Sequence, residues 1–282
     1  MKALVLIIFS EMIYMAKITI IGGDNRLAQL KKKLESLGYN VDTIGQSEDD
    51  NGDIKTSNVV VLPVPTTKDK VNVFSPYTKR LISLEEIKQE LSSNQLILCC
   101  NYSFDKLNFV DYGKMDDYAI LNAIPTAEGA IKIAMENTPY TVWDSNVLVI
   151  GYGRVSKVLA DRLKGLGANV TVSARKTADF ALLKSLGFRY INTNELNSLN
   201  IKYDVIFNTV DACVIEDEVF KNHPCDLIID LSTFGGFSME ACKQNKITAI
   251  KAPGLPNKTA PLTSGEILCD TVIPIINSYF KR

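Results

Sequence analysis

Residues 145–175, SNVLVIGYGRVSKVLADRLKGLGANVTVSAR, constrain the fold more than any other stretch of the chain. An apolar β-branched run ends at Ile150 and is followed at once by Gly151, Tyr152 and Gly153. A helical pattern comes next, stops at Gly167, and gives way to a second apolar run. Strand, glycine turn, helix and strand in about thirty residues is the length of one βαβ unit. Gly151 permits the tight turn. Gly153 lets a pyrophosphate approach the backbone at the amino end of the helix, where unpaired N–H groups favour an anion. The third position of the usual glycine pattern holds Ser156, which asks for more room between helix and sheet. The segment predicts a dinucleotide site on Gly151, Tyr152, Gly153, Arg154 and Val155.

The second strand of this unit bears on the choice of cofactor. An NAD site usually ends that strand with an acid on the ribose 2′-hydroxyl. Here the tip offers Ser173, Ala174, Arg175 and Lys176. Two cations and a hydroxyl without an acid suit a 2′-phosphate, so NADP is expected, with NAD still possible. A solvated basic loop would read the same way.

Around this unit, short apolar runs alternate with amphipathic stretches along the chain, the pattern of parallel sheets covered on both faces. KITIIGG (17–23), NVDTIG, SNVVVLPVP (57–65), QLILCCN and YAILNAIP read as strands. Helices are expected at about 26–37 and 84–91. Four more strands, GFRYI, YDVIFNTV, CDLIIDLS and ITAIKAPG, follow the glycine turn. The expected organisation is two doubly wound, Rossmann-like α/β domains with a cleft between them. Residues 1–14 form an extension, 15–125 a substrate-side domain, 126–144 a linker helix opening at Pro125 and Thr126, and 145–262 the nucleotide domain. Residues 263–282 form a last helix returning to the first domain.

Composition narrows the partners. Thirty-one Lys and Arg against 32 Asp and Glu leave a formal charge of −1, so nothing draws the molecule to nucleic acid or an anionic membrane. Six scattered cysteines without a C-x-x-C, and a single histidine, His223, argue for reduced thiols, no metal site and a cytoplasmic protein. Cys99 and Cys100 read as buried strand residues. The opening MKALVLIIFSEMIY resembles a short signal peptide, but Glu11 interrupts it and no cleavage site follows; a second start at Met15 precedes the first clean strand. No run is long enough to span a membrane.

Other motifs fall at the carboxyl ends of predicted strands, where ligands meet open α/β sheets. Asn208 and Thr209 could line the nicotinamide half of the site, or simply turn the chain. Gly235 and Gly236, in DLSTFGG, could bring backbone to a ligand or make a turn. LPVP (62–65) is a stiff strand exit. IGGD (21–24) lacks the spaced glycine and reads as a degenerate turn.

Taken in order, IIGGDNR, VLPVP, LNAIPTAEGAI, the 147–175 segment, IFNT, LIIDLST and APGLPNKTAPLTSGEIL resemble the A subunits of dipicolinate synthase from about Lys17 to the end. The resemblance implies an oligomeric NAD(P)-dependent oxidoreductase that converts dihydrodipicolinate to dipicolinate beside a flavoprotein-like B subunit, in the mother cell of a sporulating bacterium. It also implies a two-domain architecture like that of D-2-hydroxyacid dehydrogenases. On that footing the proline-stiffened 252–268 loop is a carboxylate clamp, with Lys258 supplying charge and Thr259, Thr263 and Ser264 supplying donors. Thr126 and Ala127, at a helix amino end, would take the second carboxylate, and Glu128 would either accept a proton or serve as an ordinary first-turn acid that suits the helix dipole. Pro63, Thr233, Gly235, Gly254 and Leu255 complete the expected substrate contacts. Asp211 stands where relatives often continue to a proline, which loosens that turn.

Two other readings remain. The fold could serve a non-catalytic nucleotide-binding or assembly protein of a larger complex. A hydroxyacid-type dehydrogenase would need a His–acid pair, and His223 is poorly placed for one.

Overall fold

The computed structural model describes residues 16–47, 50, 52–198, 201–233 and 235–281; the predicted extension 1–14 lies outside them. The chain forms two compact units. Unit 1 runs to Asn122 and resumes from Pro261, and unit 2 is Ala123–Ala260.

Unit 1 contains β1 (Lys17–Ile21), α1 (Asn25–Ser36), β2 (Asn40–Ile44), β3 (Val59–Val61), α2 (Leu84–Glu90), β4 (Leu96–Cys99) and β5 (Phe109–Asp111). Its five strands are all parallel and ordered β2-β1-β3-β4-β5, one of the common doubly wound orders. β3 and β4 are buried on both faces, as their unbroken apolar runs require, and β1 is buried from Ile18 to Ile21, with its one buried polar side chain, Thr19, bonded to Ser57. One face packs on Leu27, Leu30 and Leu34 of α1 and on Leu268, Val272 and Ile276 of the last helix; the other packs on Ile82, Leu84, Ile87 and Phe104. The two helices close tightly because Gly265 has no side chain. A Cβ there would lie 2.7 Å from Gln29 Cβ.

The Gly22–Gly23 turn is crowded by the chain itself: a Cβ on Gly22 would meet the Phe74 carbonyl at 2.6 Å, and Gly23 donates to that same carbonyl. Asp24 caps α1, and its carboxylate grips Arg26 at two points, 2.9 and 2.7 Å, both side chains buried.

Unit 2 contains β6 (Asn146–Ile150), α4 (Arg154–Gly165), β7 (Asn169–Ala174), α5 (Thr177–Ser185), β8 (Arg189–Asn192), β9 (Tyr203–Asn208), α6 (Asp217–Phe220), β10 (Cys225–Asp230), α7 (Met239–Gln244), β11 (Thr248–Lys251) and α8 (Leu255–Thr259). The order β11-β10-β9-β6-β7-β8, all parallel, is the complete Rossmann arrangement, with its switch point between β6 and β9.

Two sequence expectations fail at α3 (Asp116–Asn137). YAILNAIP is not a strand, and Pro125 does not open a helix; both lie in one 22-residue helix with Pro125 inside it. Burial at Ala123, Ala127, Ala130 and Ala134 follows the helical period, and Asp116 and Asp117 suit the positive amino end. Pro125 removes the hydrogen bond to the Leu121 carbonyl, and Leu121 is exposed. The division between the units falls inside this helix, not at its start. The last helix, α9 (Pro261–Phe280), starts two residues before its expected position and carries Pro274 inside it.

Candidate functional site

The carboxyl edge of the unit 2 sheet gathers most of the residues singled out from sequence. β6 ends at Ile150, and Gly151 turns the chain at φ +97°. That turn is closed from one side. A Cβ on Gly151 would meet Val210 Cγ2 at 2.7 Å and Thr209 Oγ1 at 2.8 Å. The Gly151 N–H donates to Ser173 Oγ at 3.1 Å.

Gly153 is the opposite case. Its φ is −83°, a Cβ would meet nothing within 4 Å, and no side chain caps α4, whose first residue is the exposed Arg154. Ser156, in the third glycine position, is fully buried and donates to the Gly153 carbonyl at 3.1 Å, so the extra hydroxyl is absorbed by the turn itself. Tyr152 is half-buried with Lys157 Nζ 4.9 Å from its ring centroid, and burial pushes its hydroxyl pKa up. Val155 is half-buried beside it.

Several predicted contacts have other work to do. Ser173 is fully buried. Its hydroxyl accepts from Gly151 and pairs with Thr193 Oγ1 at 3.1 Å, so it holds the glycine turn and offers nothing to a 2′-phosphate. Ala174 is buried too, which leaves Arg175 and Lys176 as the exposed part of the β7 tip. Asn208 does not line a nicotinamide pocket. It is fully buried, its amide donates to Val210 O and Asp230, and its carbonyl accepts from the Val210 N–H. Thr209 donates its hydroxyl to Ile150 O at 2.8 Å and clamps the turn from below.

The clamp loop of the sequence reading is not a loop. Gly254, at φ +69°, opens the one-turn helix α8, and Leu255 and Pro256 are buried. Leu255 joins the core of unit 2 and is not a substrate contact. α8 seats on α3 because Gly129 is a glycine: a Cβ there would lie 2.6 Å from Thr259 Oγ1 and 3.1 Å from Leu255 Cβ. Lys258 is exposed, Thr259 half-buried, and Gly254 faces open space. Thr263 and Ser264 lie within α9, with Ser264 fully buried.

Thr126 and Ala127 lie inside α3, away from the helix amino end that was expected to take a carboxylate. Glu128 is likewise mid-helix, exposed, and paired with Arg162 Nε at 3.0 Å, an arrangement unsuited to a poised base. Pro63 is buried in the exit from β3. Thr233 is exposed, and its N–H is taken by Asp211 Oδ1, so Asp211 ties two loops together where a looser turn was expected. Gly235 faces open space, whereas a Cβ on Gly236 would strike the Asn208 amide at 1.8 Å.

The residues missed from sequence are those behind these ties, Thr193 and Asp230. The signal for Asp230 was an acid closing an apolar strand, whereas Thr193 follows the half-exposed strand RYIN and had no such signal. Among the described residues, no cluster of His, Cys, Asp and Glu could hold a metal, and no helix is long and apolar enough to cross a membrane.

Sheet order, switch point and an open glycine turn define a protein of the Rossmann class, carrying a second doubly wound unit. The NAD-complexed D-isomer specific 2-hydroxyacid dehydrogenase of Lactobacillus delbrueckii ssp. bulgaricus shares that fold, with a TM-score of 0.58 at 12% identity over 95% of this chain and 98% of the other. Within the class the chain is similar to the A subunits of dipicolinate synthase. Residues 17–108 match the family described as the N-terminal domain of the dipicolinate synthase A subunit. The dipicolinate synthase A subunit of Bacillus subtilis (strain 168) is 29% identical over 92% of this chain and 95% of its own length. The crystal structure of the dipicolinate synthase A subunit from Bacillus halodurans superposes with a TM-score of 0.83 at 28% identity, covering 93% of this chain and 97% of that one.

Proposed function

We propose that the chain is the A subunit of a dipicolinate synthase and oxidises dihydrodipicolinate to dipicolinate with a nicotinamide dinucleotide, NADP in preference to NAD. One observation carries the reading: at the switch point of the unit 2 sheet the Gly153 side of the turn is open, and the amino end of α4 has no side-chain cap. A Cβ would intrude on the approach a pyrophosphate needs, and uncapped amide N–H groups are the donors a phosphate takes.

The residues present fit such a cofactor. Gly153, Arg154 and Val155 would meet the pyrophosphate, and Arg175 and Lys176 the 2′-phosphate, at a strand tip that lacks the acid an NAD site uses. When bound, the nicotinamide accepts the hydride. This chain's part is to place one ring carbon of a dianion and hold its carboxylates; Lys258, exposed at the end of α8, is the cation proposed for one of them. The product ring is aromatic, so its formation supplies much of the driving force and a strongly basic side chain is not required. The B subunit of such a synthase, flavoprotein-like, would be the physiological partner.

The test is a calorimetric titration of NADP into the chain, with and without saturating dipicolinate. Tighter NADP binding in the presence of dipicolinate supports an oxidoreductase holding both ligands. Binding indifferent to dipicolinate leaves a nucleotide-binding protein without this chemistry, and no binding of NADP or NAD refutes the reading. The Lys258→Ala variant is expected to lose turnover while keeping NADP affinity; unchanged turnover removes Lys258 from the mechanism.

A further inference from the structure

We infer that Asp230 is a positioning residue for the nicotinamide half of the dinucleotide site. This step rests on the nucleotide reading above and deepens it. With the pyrophosphate at the β6–α4 turn and the adenosine ribose at the β7 tip, the other half of the cofactor lies across the switch point, over the ends of β9 and β10. Those ends are built around one carboxylate.

Asp230 is 2% exposed at the last position of β10. Its Oδ1 accepts from Asn208 Nδ2 at 2.9 Å and from the Ser232 N–H at 3.0 Å, and its Oδ2 accepts from the Gly236 N–H at 3.2 Å. Asn208 in turn grips Val210 through both its N–H and its carbonyl, at 3.2 and 3.0 Å. Val210 and Thr209 are the residues that close on Gly151, and Thr209 is bonded to Ile150 O through its N–H and its hydroxyl. One side chain therefore holds the loop after β9 against the glycine turn and, through Ser232 and Gly236, shapes the loop after β10. The exposed Asp211 adds a second tie between the same loops at the Thr233 N–H.

Burying a carboxylate is costly unless donors answer it. Here three neutral N–H groups do so. An amide or apolar residue could end a strand at less desolvation cost, so the charge is explained by the geometry it imposes on two ligand-side loops, where a displacement of about 1 Å can cost about a hundred-fold in productive placement.

The experiment compares two probes on Asp230→Asn, which keeps the shape but turns one acceptor into a donor. The probe 2′,5′-ADP reports the adenosine half alone, and NADP reports both halves. The inference expects 2′,5′-ADP affinity within about two-fold of wild type and NADP affinity weakened about ten-fold. Unchanged NADP affinity overturns it, and so does equal weakening of both probes, which would make Asp230 a structural residue only. Asp211→Ala is the second variant, exposed and outside the core. If Asp230→Asn fails to fold, Asp211→Ala decides: selective loss of NADP affinity, by about three-fold, supports the inference, and unaltered NADP affinity overturns it. A wild-type chain that binds neither probe overturns the nucleotide reading and this step with it, whereas a wild type that binds both and a variant that shows no split overturns this step alone.

Discussion

Gly151 and Gly153 are two residues apart, yet their substitution by alanine should separate folding from binding. At Gly151 the backbone is left-handed in φ, at +97°, and a Cβ would sit 2.7 Å from Val210 and 2.8 Å from Thr209. The conformational penalty alone is about 1–2 kcal/mol, and the two contacts add to it because Thr209 is tied to Ile150 and cannot retreat freely. At Gly153, φ is −83° and a Cβ meets nothing within 4 Å. There alanine gains about 0.4–1 kcal/mol by restricting the unfolded chain and loses a similar amount as a poorer helix cap than glycine, so the net change stays within about 1 kcal/mol. Thermal unfolding should place Gly151→Ala lower by roughly 4–8 °C and Gly153→Ala within roughly 3 °C of wild type. NADP titration should show the reverse emphasis for Gly153→Ala: a sound fold with affinity reduced at least about ten-fold, because the methyl stands where a pyrophosphate approaches the backbone. A Gly153→Ala chain that binds NADP as wild type does would refute the assignment of that open space to the cofactor. A Gly151→Ala chain of undiminished stability would refute the steric argument.

Replacing Arg175 and Lys176 together by alanine should weaken NADP by about ten-fold and leave NAD within about two-fold, read from parallel titrations; equal loss of both would place the 2′-phosphate elsewhere. Glu128→Gln should change turnover by less than about two-fold and stability by less than about 1 kcal/mol, since its exposed pair with Arg162 is of the kind that contributes little. The thiols supply a pH test. Burial pushes Cys99, Cys100 and Cys242 up to about 12 and Cys269 up to about 11, from an ordinary value of 9.0. The folded chain keeps protons that the unfolded chain gives up, so this stability is intact below pH 9 and falls as pH rises from 9 toward 12; denaturant titrations at pH 8 and pH 10 should show the decline, and equal midpoints would contradict it. Alkylation of the native protein at pH 8 should mark the exposed Cys213 well before the five buried thiols, as read by mass spectrometry of peptides.

How far the sequence could be read depended on whether the period of burial or the filling of hydrogen-bonding capacity was at stake. The 145–175 unit was legible because every level agrees: apolar β-branched strands, a glycine turn, a helix closed by Gly167 and a second strand, all within about thirty residues. YAILNAIP was misread because eight mostly apolar residues ending in proline satisfy a strand and a helix alike, and the two acids that begin α3 lie just upstream of the run. β5 is three half-buried residues at a sheet edge and left too short a pattern to register. The site errors have a different origin. Ser173, Asn208 and Asp230 each lie at the end of an apolar strand on the ligand side of the sheet, and a polar residue in that place is what either a ligand contact or a loop clamp would look like. What separates the two is whether the side chain's donors and acceptors are already spent. Asn208 has spent its carbonyl on Val210 and its amide on Val210 and Asp230, and Ser173 has spent its hydroxyl on Gly151 and Thr193. Gly153, Arg175 and Lys176 remain exposed. Since Asp230, the partner of Asn208, and Gly151 and Thr193, the partners of Ser173, lie twenty to twenty-two residues away along the chain, the local sequence did not show these groups as spent, and the ligand-facing role passes to the residues whose surfaces the fold leaves uncovered.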